Sequence, residues 1–207
     1  MNTNKNVNNL STEYFIGLGK KLGCDPAALK AVQMVESGGR MGFLESGRPQ
    51  ILFEGQIFYR QLKDKFGVEK ANQVSSSHPN ICYPTWNKSK YLGGENEWKR
   101  LEEARSIDEY CANMSASWGM FQVMGFNYHL CGCKSLGEFV TKMSTSQQEQ
   151  MNLASVFLEK SGCLSPLRSK NWALFAKKYN GPGYAQNKYD IKLAKAYEKA
   201  KKDGYKS

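Results

Sequence analysis

The sequence has no run of about 18 apolar residues, so we expect no transmembrane helix and no stable membrane insertion. Residues 1–9 are polar and lack the apolar segment of a secretory signal, which predicts accumulation in the cytoplasm unless another system exports the protein. The only histidines, His78 and His129, are too few for a histidine-based metal site. We therefore expect neither a metal nor a cofactor.

Cysteine is also sparse, with six residues in 207. This density is below that of disulfide-stabilised scaffolds, and no secretory signal supports oxidation. Cys131 and Cys133 flank a single glycine, a spacing tighter than that of the usual zinc-binding pair. We expect ordinary reduced thiols, with a disulfide or a metal site as the alternatives.

Acidic residues are outnumbered, 19 against 29 lysines and arginines, and the formal net charge is +10. Such a charge favours polyanionic partners, among them nucleic acid, anionic lipid and bacterial envelope polymers, without choosing between them. Much of the excess lies in residues 188–206, which we interpret as a solvated helix face and tail.

The spacing of apolar residues predicts a mostly α-helical protein with at most a small β-hairpin near residues 40–54. We expect a flexible arm over residues 1–9 and a single domain over residues 10–207. Residues 75–97 are predicted to form a long loop, and residues 115–124 to begin a buried helix. Further helices are predicted at about 10–22, 26–36, 55–66, 97–105, 107–114, 172–179 and 189–202, with two more after capping boxes at Ser135 and Ser146.

Glu36 is the candidate with the clearest chemical argument. It closes the predicted helix of residues 26–36, where the partial negative charge of a helix C-terminus destabilises a carboxylate. Met34 and Val35 would desolvate it further, and both effects raise a pKa. A glutamate that stays protonated near neutral pH can donate a proton to a glycosidic oxygen. The alternative is a solvated glutamate at a helix end.

Three segments, in order, resemble motifs of goose-type lysozymes and lytic transglycosylases. The first is a Glu-Ser pair at a helix end, the second a Gly-x-x-Gln segment that lines a saccharide groove, and the third a Tyr-Asn-x-Gly element. In this chain they read Ala-Val-Gln-Met-Val-Glu-Ser-Gly-Gly at 31–39, Ala-Ser-Trp-Gly-Met-Phe-Gln-Val-Met-Gly-Phe-Asn-Tyr at 116–128, and Lys-Tyr-Asn-Gly-Pro-Gly at 178–183.

The chain resembles more closely the N-acetylmuramidase family of bacteriophage endolysins, which also carries the segment Gly-Arg-Pro-Gln-Ile-Leu-Phe-Glu found here at residues 47–54. The resemblance covers roughly residues 12–200. It implies a lysozyme-like helical fold and cleavage of the bond from N-acetylmuramic acid to N-acetylglucosamine. One position departs from the family pattern: Gln56 stands where a histidine is common.

Site residues follow from chemistry and from the matched motifs. Glu36 is the predicted general acid, and Glu54 is the first candidate for a second carboxylate. The alternative for Glu54 is structural, as a helix N-terminal carboxylate or a partner of Arg48. The amides of Gln122 and Asn180 suit N-acetyl and hydroxyl groups. Together with Ser37 and Tyr179 from the matched motifs, they are the predicted substrate-binding residues. Tyr83, Trp86 and Tyr91 could stack on sugar rings or pack the long loop.

The predicted function is therefore peptidoglycan hydrolysis by a monomeric muramidase. A lytic transglycosylase with the same glutamate is the alternative, because its substrate's own hydroxyl attacks and no second carboxylate is needed. A non-enzymatic wall-binding module is a third possibility. We expect peptidoglycan as partner, charge attraction to anionic envelope polymers, and no nucleic acid. A phage lysis enzyme would be made in the host cytoplasm and reach the wall after the membrane is permeabilised. An injected antibacterial effector is the other setting.

Overall fold

The computed structural model describes residues 10–38 and 42–206, and within them the chain forms a mostly helical fold with a small antiparallel sheet. This confirms the predicted fold class. The arm predicted at residues 1–9 lies outside the described residues. The α-helices are Thr12–Leu22 (α1), Pro26–Glu36 (α2), Gly55–Phe66 (α3), Val68–Ser77 (α4), Glu95–Ile107 (α5), Glu109–Met114 (α6), Leu136–Met143 (α7), Gln147–Lys160 (α8), Leu164–Arg168 (α9), Trp172–Asn180 (α10) and Tyr189–Lys202 (α11).

Helix boundaries follow local capping chemistry. The Asp25 side chain accepts a hydrogen bond from the Ala27 N–H, and Pro26 occupies the first helical position, so α2 begins where predicted. Ser135 and Ser146 cap α7 and α8 by accepting hydrogen bonds from the backbone N–H three residues on. Both predicted capping boxes therefore start helices.

The sheet contains the strands Ile51–Phe53 (β1), Ala116–Trp118 (β2) and Val123–Met124 (β3) in the order β1-β2-β3. Phe53 pairs with Ala116, and Ser117 pairs with Met124. The helix predicted at residues 115–124 is wrong, because this segment forms β2, a turn and β3. Within the turn, Gly119 and Gln122 have φ values of +70° and +49°, which a right-handed helix does not allow. An apolar run of this length does not distinguish a buried strand from a helix.

The core is one contiguous hydrophobic cluster that extends from α1 to α11. Its largest fully buried side chain is Trp118 on β2, which the indole rings of Trp98 and the phenyl ring of Phe139 contact edge-on. Helix α11 packs along α2 and α10. This packing fixes the C-terminal end of α2, where Glu36 lies.

A buried ion pair joins α5 to the sheet. Glu97 and Arg100 lie 2.8 Å apart and are almost fully buried. Glu97 accepts a hydrogen bond from the Phe53 N–H at 3.0 Å, and Arg100 donates to the Phe53 carbonyl at 2.9 Å. Since β1 ends at Phe53, the pair fixes the position of the next residue, Glu54. The pair is fully hydrogen-bonded, as a buried charge must be.

None of the helices in the described part of the chain is both long enough and apolar enough to cross a membrane. All six cysteines are buried and carry free thiols. Burial raises the pKa of Cys24 and Cys82 to about 11, so these thiols are poor nucleophiles near neutral pH.

Candidate active site

A cleft of about 260 Å³ lies between the C-terminal end of α2, strand β1 and the turn between β2 and β3. Three of the predicted site residues reach it, and backbone from the long loop closes one side. The lining residues are Glu36, Ser37, Gly38, Gln50, Ile51, Leu52, Gly93, Gly119, Met120 and Gln122.

Glu36 is the only acidic residue among those lining the cleft. Burial among apolar neighbours is the main influence on its carboxyl and raises the pKa of Glu36 to about 7. The Asn180 amide, which donates to Oε1 at 3.4 Å, and the positive charge of Lys192 oppose this rise. A bond of 3.4 Å is long and weak, so burial prevails and much of the carboxyl is protonated at neutral pH.

Ser37 lies directly after α2 and is 8% exposed. Its N–H donates to the Gln33 carbonyl at 3.0 Å, and its hydroxyl oxygen accepts a long hydrogen bond from the Gln33 amide. Gly38 follows with φ +57°, so the chain turns left-handed where the helix ends.

Gln122 sits at the turn between β2 and β3, and its amide is tied to that turn. Its Oε1 accepts from the Ser117 hydroxyl at 2.8 Å, and its Nε2 donates to the Gly119 carbonyl at 2.8 Å. Both bonds fix the side chain in a residue whose φ is positive. The amide oxygen and the amide nitrogen can each form one more hydrogen bond, so this side chain can bind a ligand in the cleft.

The turn itself is anchored by the fully buried amide of Gln150 on α8. Gln150 accepts from the Met120 N–H at 2.9 Å and donates to the carbonyls of Gly42 and Met143 at 3.0 and 2.8 Å. A Cβ atom at Gly119 would lie 2.7 Å from the Gln150 side chain, so only glycine fits there. Sequence reasoning missed Gln150, because it is one of three glutamines in the polar first turn of α8 and the sequence gives no signal of where its amide points.

Tyr179 lies on α10 behind the cleft. Its hydroxyl donates to the Phe121 carbonyl at 2.8 Å, and its ring stacks on Phe175 with centroids 5.4 Å apart. Burial and the charge of Glu36 raise the pKa of Tyr179 well above its usual value. Since its single O–H already has an acceptor, this tyrosine supports the turn that carries Gln122. Direct contact with a sugar stays a prediction.

Glu54 lies at the N-terminus of α3, directly after β1. Its Oε2 accepts a hydrogen bond from the Tyr91 hydroxyl at 2.6 Å. Burial raises the pKa of Glu54, while hydrogen bonds from Tyr91 and Gln56 and the charge of Arg100 lower it.

Of the structural alternatives for Glu54, one fits the observed contacts and the other does not. Arg48 pairs with Glu102 at 2.9 Å rather than with Glu54. The place at the start of α3 is correct, although the carboxylate makes no capping hydrogen bond there. Gln56, at the position that departs from the family pattern, is a neighbour of this carboxyl.

Comparisons with known proteins identify the family of this chain. The N-acetylmuramidase family model matches residues 25–201. The chain belongs to the N-acetylmuramidase family. Membership makes it an enzyme that degrades peptidoglycan. The crystal structure of the Burkholderia AP3 phage endolysin is similar, with a TM-score of 0.82 and 36% identity over 93% of this chain and 72% of that chain. A comparison with curated proteins finds no match.

The long loop of this muramidase is shorter than the predicted range 75–97. Helix α4 extends to Ser77, and α5 begins at Glu95. Tyr83 packs the loop down: a Cβ atom at Gly55 would lie 2.4 Å from its ring. Trp86, by contrast, is 62% exposed. One of the candidate aromatic residues is therefore structural, and another presents an open ring.

Glu97 is a second residue that sequence reasoning missed. Its Oε1 accepts from the backbone N–H groups of Leu92 and Gly93 at 2.6 and 3.0 Å, while its Oε2 binds strand β1. One buried carboxylate thus joins the loop wall of the muramidase cleft to the strand opposite. In the sequence it looks like any first-turn glutamate of a polar helix. Across residues 10–38 and 42–206, no cluster of three His, Cys, Asp or Glu side chains could hold a metal.

Proposed function

We propose that this chain is an endolysin that hydrolyses the β-1,4 bond between N-acetylmuramic acid and N-acetylglucosamine, with Glu36 as the general acid. The observation that carries the proposal is the environment of Glu36. It is the acidic residue that lines the cleft, and burial raises the pKa of Glu36 to about 7. An acid with this pKa is protonated for part of the population at neutral pH and is still able to release its proton.

The first chemical step is proton transfer from Glu36 to the glycosidic oxygen as the bond from the sugar C1 breaks. Positive charge then develops on the sugar ring, and the Glu36 carboxylate remains. Ser37, Gln122 and Asn180 would bind the acetamido and hydroxyl groups, with Tyr179 holding the turn that carries Gln122. Asn180 also donates to the Glu36 carboxylate, which stabilises the ionised product of this step.

Glu54 is proposed as the second carboxylate. It would accept a proton from a water molecule whose oxygen bonds to C1, so one water is consumed and the strand gains a reducing end. The hydrogen bond from Tyr91 at 2.6 Å favours the ionised form that a base needs. Protons then equilibrate through solvent and restore Glu36 to its acid form.

The proposed setting is phage lysis, supported by the similarity to the Burkholderia AP3 phage endolysin. The enzyme would be made in the host cytoplasm and reach the wall after the membrane is permeabilised. The net charge of +10 would attract it to anionic envelope polymers. We propose that it acts as a monomer.

Mass analysis of muropeptides released by the pure protein tests bond choice and mechanism together. We expect reducing N-acetylmuramic acid ends from the wild type. Ends of 1,6-anhydromuramic acid would identify a lytic transglycosylase instead. That alternative is favoured by one observation, that Glu54 is not among the residues lining the Glu36 cleft.

Turbidity loss of permeabilised Gram-negative cells tests the acid. Glu36→Gln should lower kcat about 10³-fold or more, because a general acid contributes on that scale. Glu69→Gln, in the exposed first turn of α4, is the matched control and should behave as the wild type. Equal activity of the Glu36 variant and the wild type would reject Glu36 as the acid. No activity in either would favour a wall-binding module.

A further inference from the structure

Trp86 is the tryptophan of this chain that presents most of its ring to solvent, at 62% exposure. It is not loosely attached. Its indole N–H donates to the Tyr91 oxygen at 2.7 Å, and the two rings meet edge to face with centroids 6.4 Å apart. This hydrogen bond therefore fixes the nitrogen edge of the indole, while the face of the ring stays exposed to solvent.

Two consecutive hydrogen bonds connect Trp86 to Glu54, and each donates towards Glu54. Tyr91 accepts from Trp86 through its oxygen, so its own proton points to Glu54 Oε2 at 2.6 Å. A phenol whose oxygen already accepts a hydrogen bond is a stronger donor. The order Trp86, Tyr91, Glu54 therefore links an exposed aromatic ring to a buried carboxyl through two short bonds.

The other groups around Glu54 are held in place, so the hydrogen bond from Tyr91 is the contact that can change. On the α5 side, Glu97 and Arg100 form a buried pair whose opposite charges act on the Glu54 carboxyl in opposite senses. Gln56 on α3 adds one hydrogen bond. Tyr83 lies next to this group and is held by the Arg100 guanidinium at 3.3 Å. The hydrogen bond from Tyr91 connects Glu54 to the exposed Trp86.

We propose that the open face of Trp86 is a platform for a sugar ring of the glycan strand, and that Tyr91 is a positioning residue that couples this platform to Glu54. The proposal rests on the proposed function. Ordering of the Trp86 ring by a bound sugar would hold the Tyr91 hydroxyl towards Glu54, and the carboxylate would keep its orientation for the attacking water.

A sugar ring is the occupant that the position favours. Tyr91 is followed by Leu92, which is 60% exposed, and by Gly93, which lines the Glu36 cleft. Tyr91, which accepts the hydrogen bond from Trp86, is thus two residues before the cleft residue Gly93. A glycan strand that leaves the cleft over Gly93 would meet an apolar surface, and the C–H face of a pyranose ring packs on such a surface. A peptide or lipid partner would not need the continuity with the cleft.

Binding of chitotetraose is the first test, measured by intrinsic fluorescence and by calorimetry. Of the other three tryptophans, Trp98 and Trp118 are buried, and Trp172 on α10 is half-buried. If the fluorescence change on binding comes from Trp86, it should be lost in Trp86→Phe. Trp86→Ala should weaken binding about tenfold, the scale of one lost ring-face contact. Trp86→Phe keeps a ring face and should lose at most about threefold. Equal losses in the two variants would overturn the platform.

The pH profile of kcat/KM is the second test. Tyr91→Phe keeps the ring but removes a hydrogen bond that favours ionised Glu54, so the acidic limb should move to higher pH by about one unit. Trp86→Phe should move it in the same direction by less. A loss of activity with an unchanged acidic limb would show a merely structural role and overturn the coupling.

Phe66→Ala is the matched control, since Phe66 is 49% exposed at the opposite end of α3 from Glu54. The two ends lie about 18 Å apart at 1.5 Å per residue. This variant should bind chitotetraose and show a pH profile as the wild type does. If the wild type degrades no peptidoglycan, the proposed function fails while the binding test of Trp86 still stands. If it is active and the Trp86 variants bind normally, only the platform fails.

Discussion

Two glutamates, one at the C-terminus of α2 and one directly after β1, lie in opposite electrostatic settings. Glu36 is the last residue of α2, at the negative end of a helix dipole, and the hydrogen bond of 3.4 Å that its carboxyl accepts from Asn180 is weak. Glu54 precedes the first residue of α3, at the positive end, and accepts a hydrogen bond of 2.6 Å from Tyr91. Both are partly buried, and burial raises both pKa values.

This difference would let Glu36 and Glu54, although both are glutamates, act as an acid and a base. Where burial is nearly unopposed, the pKa of Glu36 rises to about 7. Tyr91, Arg100 and Gln56 favour the charged form of Glu54 and oppose the effect of burial on its pKa. Two carboxyls in such different surroundings can supply an acid and a base at the same pH.

Glu54→Gln removes one of the two carboxyls and tests most directly whether Glu54 acts as the base. If Glu54 activates water, kcat for hydrolysis should fall about 10²-fold to 10³-fold, because the amide cannot accept a proton. KM for peptidoglycan should change little. The measurement is the initial rate of turbidity loss, with Glu69→Gln as control. A variant with the wild-type rate would remove Glu54 from the chemistry and favour attack by the sugar's own hydroxyl.

Glu36→Gln should stabilise the fold at high pH. The folded-state pKa of Glu36 is about 7 against an ordinary value of 4.5. A group whose pKa is raised on folding favours the folded state fully below pH 4.5, and this contribution is lost as the pH rises through 7. The neutral amide avoids that loss, so the variant should gain at most about 3 kcal/mol in free energy of unfolding at pH 9.

Urea unfolding at pH 4 and pH 9 checks this prediction. The difference between the variant and the wild type should be small at pH 4 and large at pH 9. Glu54→Gln should show a smaller pH dependence, since the rise in the pKa of Glu54 is opposed by its partners. An equal difference for Glu36→Gln at both pH values would show that its carboxyl is not desolvated.

The sequence predicts one side of this contrast better than the other. The Asp25 cap, the Pro26 start and the glycine after the helix are local signals, so the position of Glu36 at the end of α2 followed from nearby residues. The pKa of Glu36 also depends on α10 and α11, which supply the opposing groups Asn180 and Lys192 from more than 140 residues away. Only the family resemblance gave Asn180 a place in the site.

The environment of Glu54 depends on contacts that no local pattern encodes. Tyr91 is 37 residues from Glu54, and Glu97 is 44 residues from Phe53. The helix predicted at residues 115–124 was wrong for the same reason. Strands β2 and β3 are short and buried and lie around two residues with positive φ, so their apolar run looks helical until β1 pairs with it. Long-range pairing overrides local periodicity there.

The smallest expected effect is a shift in the alkaline limb of the pH profile. Activity should fall about tenfold per unit above pH 7, because the pKa of Glu36 is about 7 and its ionised form cannot donate a proton. The charge of Lys192 lowers that pKa. Lys192→Met should therefore move the alkaline limb upward by roughly 0.3 unit at low salt, and less at high salt, where such a charge is screened. Lys199→Met on the same helix is the control and should leave the limb in place. A downward shift with Lys192→Met would mean that another group sets the alkaline limb, and the contrast between the two glutamates would then lose its acid.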